Sequence, residues 1–293
     1  MLVDGADLEN TARVALVVVT RDRAGIFERF LLPSLRRVPP DVEIVIVDQS
    51  AGPETRRLLG ELPRARYLRS EPGLSRGRNV GVAATDAEIT VFTDDDVEFD
   101  ADWLPRVAAL FDDPAIGVVC GPAMHSSGGS LPARRAGTYR WPTNPFNVGH
   151  GFNMAFRRRA LDQAGPFDER LGAGAEVPAA EDTDMFYRVM RNGWSLRCDD
   201  GIAVRHHEWR TPRQQRLTFE AYGRGFAAQT VKHTRAGDLT AARMAALHTA
   251  RHCKWIALAA IRRDRERLPY QWAWFRGVAA GLTRAGRRLV ASP

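Results

Sequence analysis

The feature that most constrains the fold of this chain is the alternation of short β-branched apolar runs with amphipathic stretches. Ala15–Thr20, Glu43–Val47 and Ile89–Thr93 are nearly continuous apolar runs, as in strands that are buried on both faces. Between the first two runs, apolar residues from Ile26 to Leu31 recur at helical spacing. Repeated strand–helix alternation predicts an α/β protein with a mostly parallel, Rossmann-like sheet and flanking helices.

The charge of the chain is distributed unevenly. The whole chain carries a net charge of +7, but residues 206–293 hold 17 Lys and Arg against 5 Asp and Glu, whereas residues 1–205 are net acidic. Only Lys232 and Lys254 are lysines, so the basic residues are almost all arginine, as a genomic codon bias produces. We therefore expect no nucleic-acid partner, and the basic segment is either a solvated face or a contact for lipid phosphate.

The last third of the sequence is helical by pattern. Apolar residues recur at helical spacing over 244–261 and again over 275–289. We predict that residues 211–293 form a basic, amphipathic, helical C-terminal extension. With Trp272 and Trp274, this extension could lie on an anionic membrane, and packing against the rest of the chain is the alternative.

The cysteines and the N-terminus indicate a reducing compartment. Cys120, Cys198 and Cys253 are far apart and odd in number, which argues against a disulfide framework and against a zinc site. Residues 1–13 lack a basic region followed by an apolar core, and no uncharged apolar run approaches the roughly 18 residues that span a bilayer. We expect a cytoplasmic protein, soluble or peripheral at the inner face of the plasma membrane.

Three carboxylates, Asp94, Asp95 and Asp96, follow the third apolar run directly. They are therefore expected at the carboxyl edge of the sheet, where open α/β folds bind ligands. In an extended chain Asp94 and Asp96 point to one side, and burying such a cluster without a cation is unfavourable. The pattern predicts a Mg²⁺ or Mn²⁺ site, and the alternative is an acidic loop with Asp96 or Asp100 as a helix cap.

Asp48 follows the second apolar run and has two interpretations. Its carboxylate could accept hydrogen bonds from a nucleobase or a ribose, or it could initiate a turn. The first strand–helix turn, from Thr20 to Gly25, lacks the GxGxxG pattern, which argues against a dinucleotide-dependent dehydrogenase.

A glycine-rich segment, Gly73–Gly81, precedes the aspartate strand and contains Arg76, Arg78 and Asn79. The two arginines could face a diphosphate or pair with the acidic cluster, and a surface salt bridge is the alternative for each of them.

Two further polar pairs are candidates for chemistry. Glu181 and Asp182 begin a predicted helix, where acidic residues commonly complement the helix dipole but where one of them could also be a general base. His206 and His207 end a predicted strand, and either could complete a metal site or be a half-buried structural histidine.

Seven segments occur in the order typical of family 2 glycosyltransferases of GT-A fold, and the chain resembles that family over about residues 13–210. The segments are VVVTRDR, IVIVDQS, GLSRGRNVG, FTDDDV, GHGFNMAFRR with GPFDERLGAG, AEDTDMFYRVMRNGW and VRHH. The resemblance implies an inverting, metal-dependent transferase that uses a nucleotide-sugar donor and releases a nucleoside diphosphate.

The resemblance also implies roles for individual residues. Asp182 corresponds to the general base, with Glu181 as the fallback, and Asp94, Asp96 and one or both of His206 and His207 correspond to the metal site. The implied donor contacts are Thr20, Arg21, Asp48, Arg76, Arg78, Asn79, Asp94 and Asp95.

The resemblance further implies an organisation of the chain. Residues 1–210 would form the catalytic domain, with nucleotide-sugar binding at about 13–120 and the acceptor side at about 121–210. The acceptor is a glycan, a lipid-linked molecule or a small molecule. The QxxRW motif of processive synthases is absent, so we expect transfer of one sugar per encounter.

Two other functions fit the same carboxylates. A nucleotidyltransferase also combines paired aspartates with Mg²⁺ on an α/β sheet, although it attacks phosphorus and not carbon. A non-catalytic, metal-stabilised sugar-binding module would leave Asp48 and Asp182 without a role.

Overall fold

The computed structural model describes residues 13–125, 136–146, 148–264 and 267–288. The strands are β1 (Val14–Thr20), β2 (Glu43–Asp48), β3 (Ala65–Arg69), β4 (Ile89–Thr93), β5 (Val97–Glu98), β6 (Ile116–Cys120), β7 (Ala123–His125), β8 (Gly137–Tyr139), β9 (Asn153–Arg157), β10 (Ser195–Cys198) and β11 (Val204–His206). The helices are α1 (Ala24–Phe30), α2 (Leu32–Leu35), α3 (Glu54–Leu58), α4 (Leu74–Ala83), α5 (Trp103–Ala109), α6 (Arg158–Ala164), α7 (Glu181–Arg191), α8 (Pro212–Arg235), α9 (Leu239–Ile261) and α10 (Leu268–Arg288).

The central sheet has the strand order β3-β2-β1-β4-β9-β6-β10-β8. The strands β3, β2, β1 and β4 are parallel to one another, and β9 lies antiparallel between β4 and β6. A small second sheet has the order β5-β11-β7. The mostly parallel sheet with flanking helices confirms the fold class predicted from the apolar runs.

The two faces of the sheet are covered by separate groups of helices. Along β1, Leu16 and Val18 pack in a core with Phe27 and Trp103 of α1 and α5. Val17 alternates to the opposite core, which includes residues of α6 and α7. Because both faces are covered, β1 contains no exposed position, which explains its unbroken apolar sequence.

Where the structure describes it, the C-terminal extension consists of three helices, of which α8 was not separately predicted from the sequence. A capping box from Thr211 and Gln214 begins α8. The helices α8 and α10 approach so closely that a Cβ on Gly223 would collide with the Trp274 carbonyl, and a Cβ on Gly277 would collide with the Glu220 carbonyl. This face of α10 is therefore packed against the protein.

Part of the extension remains exposed. Trp274 of α10 is buried against Phe146 and Phe226, whereas Trp272 is exposed. In the part of the chain that the structure describes, no helix is long and apolar enough to cross a membrane. The end of the predicted apolar series, at Leu289, lies outside the described residues.

Candidate functional site

Three sequence-predicted positions, Thr20, Asp48 and Asp94, meet at the carboxyl edge of the parallel strands. The register of β1 and β2 places Thr20 beside Asp48, and β4 runs parallel to β1 and ends at Thr93. Asp94 follows immediately. The strand order brings these positions to one edge, and the sequence had placed the aspartates at the carboxyl ends of strands.

The acidic segment is a turn and not an extended chain. After β4 ends at Thr93, Asp95 and Asp96 lie in a turn that leads into β5. The extended alternation assumed from the sequence is therefore wrong, and the two buried carboxylates are Asp95 and Asp96, while Asp94 is partly open to solvent. Burial raises the pKa of Asp94, the charge of Asp96 raises it further, and Arg78 lowers it.

Asp95 is held by neutralising contacts. The Thr20 hydroxyl donates to its Oδ2 at 2.6 Å, and Arg23 Nη2 lies 3.0 Å from its Oδ1. Burial raises the pKa of Asp95 to about 7, and Arg23 and the Thr20 hydrogen bond oppose that rise. The Asp95 side chain therefore links the turn after β4 to the end of β1.

Asp96 is contacted by two residues that the sequence did not identify as site residues. Trp209 Nε1 donates to Asp96 Oδ2 at 2.8 Å, and Arg23 Nη1 lies 3.5 Å from the same oxygen. The Arg23 guanidinium also lies over the Trp209 ring, 5.4 Å from its centroid. Arg23 could not be distinguished by sequence from the neighbouring Arg21 in the turn after β1. Trp209 lies beyond the last recognised motif, VRHH.

The two histidines separate because adjacent residues of a strand point to opposite sides. His206 is buried, with Nε2 3.5 Å from Asp96 Oδ1. His207 turns away, stacks on Phe30 with ring centroids 3.8 Å apart, and contacts Glu98 at 3.2 Å. Only His206 joins the acidic cluster.

Asp48 is fully buried and already has partners. Its Oδ1 accepts the Ser50 backbone N–H at 2.9 Å, and its Oδ2 accepts the Tyr67 hydroxyl at 2.9 Å. The Arg69 guanidinium lies 3.6 Å from Oδ2. The turn that Asp48 initiates is thus present, and its carboxylate lies at the edge where the nucleoside contact was expected.

Arg78 connects the two acidic groups of the site. It is buried, donates from Nη1 to Glu181 Oε1 at 2.9 Å and from Nη2 to the Gly151 carbonyl at 3.0 Å, and lies 3.9 Å from Asp94. A Cβ on residue 151 would lie 2.9 Å from Arg78 Nη2 and 3.2 Å from Asp182 Oδ2. Glycine at this position therefore permits the close approach of the loop to both side chains.

The other predicted donor residues lie away from this cluster. Arg76 makes a surface salt bridge with Glu169 at 2.8 Å. Asn79 exchanges hydrogen bonds with the backbone of Phe167. Arg21 is half exposed and contacts the neighbouring Asp22 at 3.5 Å. Arg76 therefore forms the surface salt bridge that the sequence analysis gave as the alternative to a diphosphate contact.

Glu181 and Asp182 begin α7 and differ in their partners. Glu181 is committed to Arg78, whereas Asp182 Oδ1 accepts the Thr183 backbone N–H at 2.7 Å. Burial raises the pKa of Asp182, and the nearby Arg78 lowers it. A carboxylate with a raised pKa and no guanidinium partner among the described residues is suited to accept a proton.

The C-terminal extension contributes a side chain to this region. Tyr222 of α8 is close enough to be influenced by the charges of Arg210, Asp182 and Glu181. Desolvation by the surrounding protein raises the pKa of its hydroxyl to about 12, Arg210 lowers the pKa, and the two carboxylates raise it. Tyr222 as a whole residue is half exposed, although its hydroxyl is desolvated by the surrounding protein.

The acidic turn has a donor set suited to a shared cation. No three His, Cys, Asp or Glu side chains within the described residues are arranged to enclose a metal ion by themselves. Asp96 Oδ1 is buried without a hydrogen-bond partner among those residues, and Asp94 is close by. Two carboxylates with open coordination positions fit Mg²⁺ or Mn²⁺ whose remaining ligands are phosphate oxygens and water.

Comparison with solved structures shows the same fold. The mannosyltransferase PcManGT from Pyrobaculum calidifontis, in complex with GDP-Man and Mn²⁺, aligns with a TM-score of 0.65 at 18% identity over 93% of this chain and 87% of that protein. S. aureus TarS 1–349 in complex with UDP-GlcNAc aligns with a TM-score of 0.55 at 18% identity over 75% of this chain and 66% of that one. A search of curated proteins found no match.

A family model identifies the chain at the sequence level. The model described as glycosyl transferase family 2 matches residues 15–165, which include β1, the acidic turn and β9. The match covers just over half of the chain and confirms the resemblance drawn from the ordered motifs. The chain therefore belongs to glycosyl transferase family 2 and is a glycosyltransferase.

Proposed function

We propose that this enzyme moves a sugar from a nucleoside-diphosphate sugar to an acceptor hydroxyl, with a divalent cation and with inversion at the anomeric carbon. One observation carries the proposal: two acidic groups, Asp94 with Asp96 and Glu181 with Asp182, lie on either side of Arg78. The first group suits a cation and a diphosphate, and the second suits proton transfer from the acceptor.

The metal and the diphosphate are assigned to the acidic turn. Asp94 and Asp96 would hold Mn²⁺ or Mg²⁺, with His206 beside them, and the bound cation would neutralise charge on the departing diphosphate. Arg23, whose Nη1 lies 3.5 Å from Asp96, would stabilise the same charge. The GDP-Man and Mn²⁺ in PcManGT support this class of donor and cofactor.

The nucleoside is assigned to the edge formed by Thr20, Arg21 and Asp48. Asp48 Oδ2 is shared between Tyr67 and Arg69, so a base or ribose that donates to it would have to share this oxygen with Tyr67. We assign Arg76 and Asn79 to holding the segment 167–169, since their partners lie there.

Asp182 is assigned as the general base. Because Glu181 neutralises Arg78, the carboxylate that is free to take a proton is that of Asp182. As the acceptor oxygen bonds to the anomeric carbon, its proton passes to Asp182. The anomeric C–O bond breaks on the opposite face, and its electron pair leaves with the nucleoside diphosphate. One displacement of this kind inverts the configuration.

The acceptor is assigned to the side formed by α7 and α8. Tyr222 lies near Asp182 on that side and can donate to an acceptor oxygen. We propose a non-processive reaction on a glycan, a lipid-linked molecule or a small molecule. We also propose a cytoplasmic enzyme with peripheral contact to an anionic membrane through its basic extension.

Donor-dependent thermal stabilisation tests the proposal. We expect a panel of nucleoside-diphosphate sugars to raise the melting temperature only with Mn²⁺ or Mg²⁺ present. Asp96→Asn should lose both this shift and turnover, while Asp100→Asn, an exposed carboxylate beyond the same turn, should keep both. Full activity in EDTA would refute the metal assignment. Release of pyrophosphate instead of a nucleoside diphosphate would favour the nucleotidyltransferase.

A further inference from the structure

The outward face of α9 combines exposed apolar and cationic side chains. We define the outer face of α9 by its apolar residues Leu247, Trp255 and Ile261 and its cations Arg243, Lys254 and Arg262. Leu247, Lys254 and Ile261 are seven residues apart, and Arg243 lies beside this line. Trp255 and Arg262 follow buried His248 at intervals of seven residues, so they border the covered side of the helix. The residues of the outer face are exposed, with Leu247 at 63% and Ile261 at 78% of full exposure.

The buried residues of α9 lie mostly in the first half of the helix and explain its orientation. Ala241, Met244, Ala245 and His248 are buried, in cores shared with Tyr187 and with residues of α8 and α10. These buried side chains are thus covered by other parts of the protein. The outer face is left with three large apolar side chains, which is unusual when they recur along one helix.

The charge on α9 has one sign. The helix contains no Asp or Glu between Leu239 and Ile261. The acids at its two ends are engaged, because Asp238 caps the helix and accepts from Tyr187, and Asp264 contacts Arg267. An outer face that is apolar and purely cationic matches one chemical partner, an anionic lipid surface.

We infer that the outer face of α9 docks the enzyme on an anionic bilayer, with Leu247, Trp255 and Ile261 inserted at the level of the headgroups. This inference refines the membrane contact of the proposed function and rests on it, but it relocates that contact. From the sequence, this contact was associated with Trp272 and Trp274, and the structure packs one face of their helix, α10, against α8. A second copy of the chain fits poorly, since a symmetric pairing would bring cations against cations.

Vesicle flotation without donor or metal tests the docking surface separately from catalysis. We expect the full chain to bind vesicles of equal parts phosphatidylglycerol and phosphatidylcholine, to bind phosphatidylcholine alone weakly, and to lose binding as salt rises. The triple variant Arg243→Gln, Lys254→Gln, Arg262→Gln should bind anionic vesicles about 100-fold more weakly. The triple variant Leu247→Gln, Trp255→Gln, Ile261→Gln should lose about 10-fold or more.

A matched control uses a comparable patch elsewhere on the extension. Arg213→Gln with Leu217→Gln removes one cation and one exposed apolar side chain from α8 and should leave binding unchanged. Every variant should keep the melting temperature and the activity on a soluble acceptor, because it changes only exposed residues. If the enzyme shows no sugar transfer but still floats with anionic vesicles, the proposed function is wrong and the docking surface is still supported.

A local probe identifies the inserted face. A fluorophore on Ala250→Cys, in a Cys253→Ser background, should shift to the blue on anionic vesicles, whereas a fluorophore on Leu217→Cys should not. Either of two results would overturn the inference: unchanged flotation of both triple variants, or a dimer in light scattering that the apolar triple variant abolishes.

Discussion

Arg78 Nη1 on α4 donates to Glu181 Oε1 on α7 across 2.9 Å, and both side chains are buried. This pair joins the helix before the acidic turn to the helix that begins with the proposed base. It also explains why two adjacent carboxylates, Glu181 and Asp182, can share one helix start: the guanidinium compensates one of them, and the other remains available.

Arg78→Met should strongly destabilise the protein, because it leaves Glu181 buried without its partner. We expect a loss of about 3–5 kcal/mol in the free energy of unfolding, measured by urea titration at pH 7. The matched control, Arg76→Met, breaks an exposed pair with Glu169 on the same helix and should cost less than about 1 kcal/mol. Equal losses for the two variants would contradict the buried-pair interpretation.

The sheet was predictable because burial on both faces imposes a simple pattern. The apolar runs Ala15–Thr20, Glu43–Val47 and Ile89–Thr93 match β1, β2 and β4 to within one residue at each end. The antiparallel placement of β9 between β4 and β6 was not predictable, since strand direction depends on the path of the connecting chain and not on apolar spacing. The helix α8 lay within the predicted helical extension but was given no bounds of its own, because its apolar pattern is weak.

The candidate site was predictable as a set of positions but not as a set of contacts. Asp94, Asp96 and Asp182 could be selected because carboxylates after strands and at helix starts are local signals. The roles of Arg23 and Trp209 were not predictable, because each depends on a partner far away in sequence. The assumption that residues 94–96 continue as an extended strand was wrong, because the chain turns at Asp95 and Asp96.

The proposed base predicts a difference between two adjacent substitutions. Asp182→Asn keeps the shape and removes the proton acceptor, so kcat should fall by roughly 100- to 10,000-fold while donor binding persists. Glu181→Gln should impair folding more than the chemical step, since it breaks the Arg78 pair. If Glu181→Gln is folded and inactive while Asp182→Asn is active, the two roles are exchanged.

The pH dependence of the rate provides an independent check on the same residue. Burial raises the pKa of Asp182, so the deprotonated base is lost as the pH falls through a value above the roughly 3.9 of an ordinary aspartate. We expect an acidic limb in kcat/KM above that value in the native enzyme. The limb should be absent from the residual activity of Asp182→Asn.

Lys232 predicts a pH-dependent contribution to stability. Its Nζ lies 2.9 Å from Asp168 and 3.0 Å from Asp184, which also accepts from His233. Although burial alone would raise the pKa of Asp184, His233, Lys232 and Arg188 lower it to about 2. This depressed pKa contributes roughly 2 to 3 kcal/mol to the free energy of unfolding when the pH is above the unfolded-state pKa of about 3.9. The contribution is lost as the pH falls towards 2.

Lys232→Met should therefore destabilise the protein at pH 7, and the difference from the native chain should shrink as the pH is lowered below about 4. Lys254→Met removes the other lysine of the chain from the exposed face of α9. Its effect on the free energy of unfolding should be small at every pH. A difference for Lys232→Met that stays constant from pH 7 down to acid unfolding would show that Asp184 is not held by this lysine.

The close packing of α8 and α10 predicts that Gly277 cannot carry a side chain. A Cβ there would collide with the Glu220 carbonyl, which is helix backbone and cannot rotate away, so Gly277→Ala must separate the two helices. We expect a loss of about 1–3 kcal/mol, seen as a lower melting temperature. Gly25→Ala is the control, since a Cβ on this α1 residue meets nothing within 4 Å and the substitution should be neutral or stabilising. An unchanged melting temperature for Gly277→Ala would mean that α10 does not pack on α8 through this glycine, and α10 would then be free to present its apolar face, including Trp274, to a membrane.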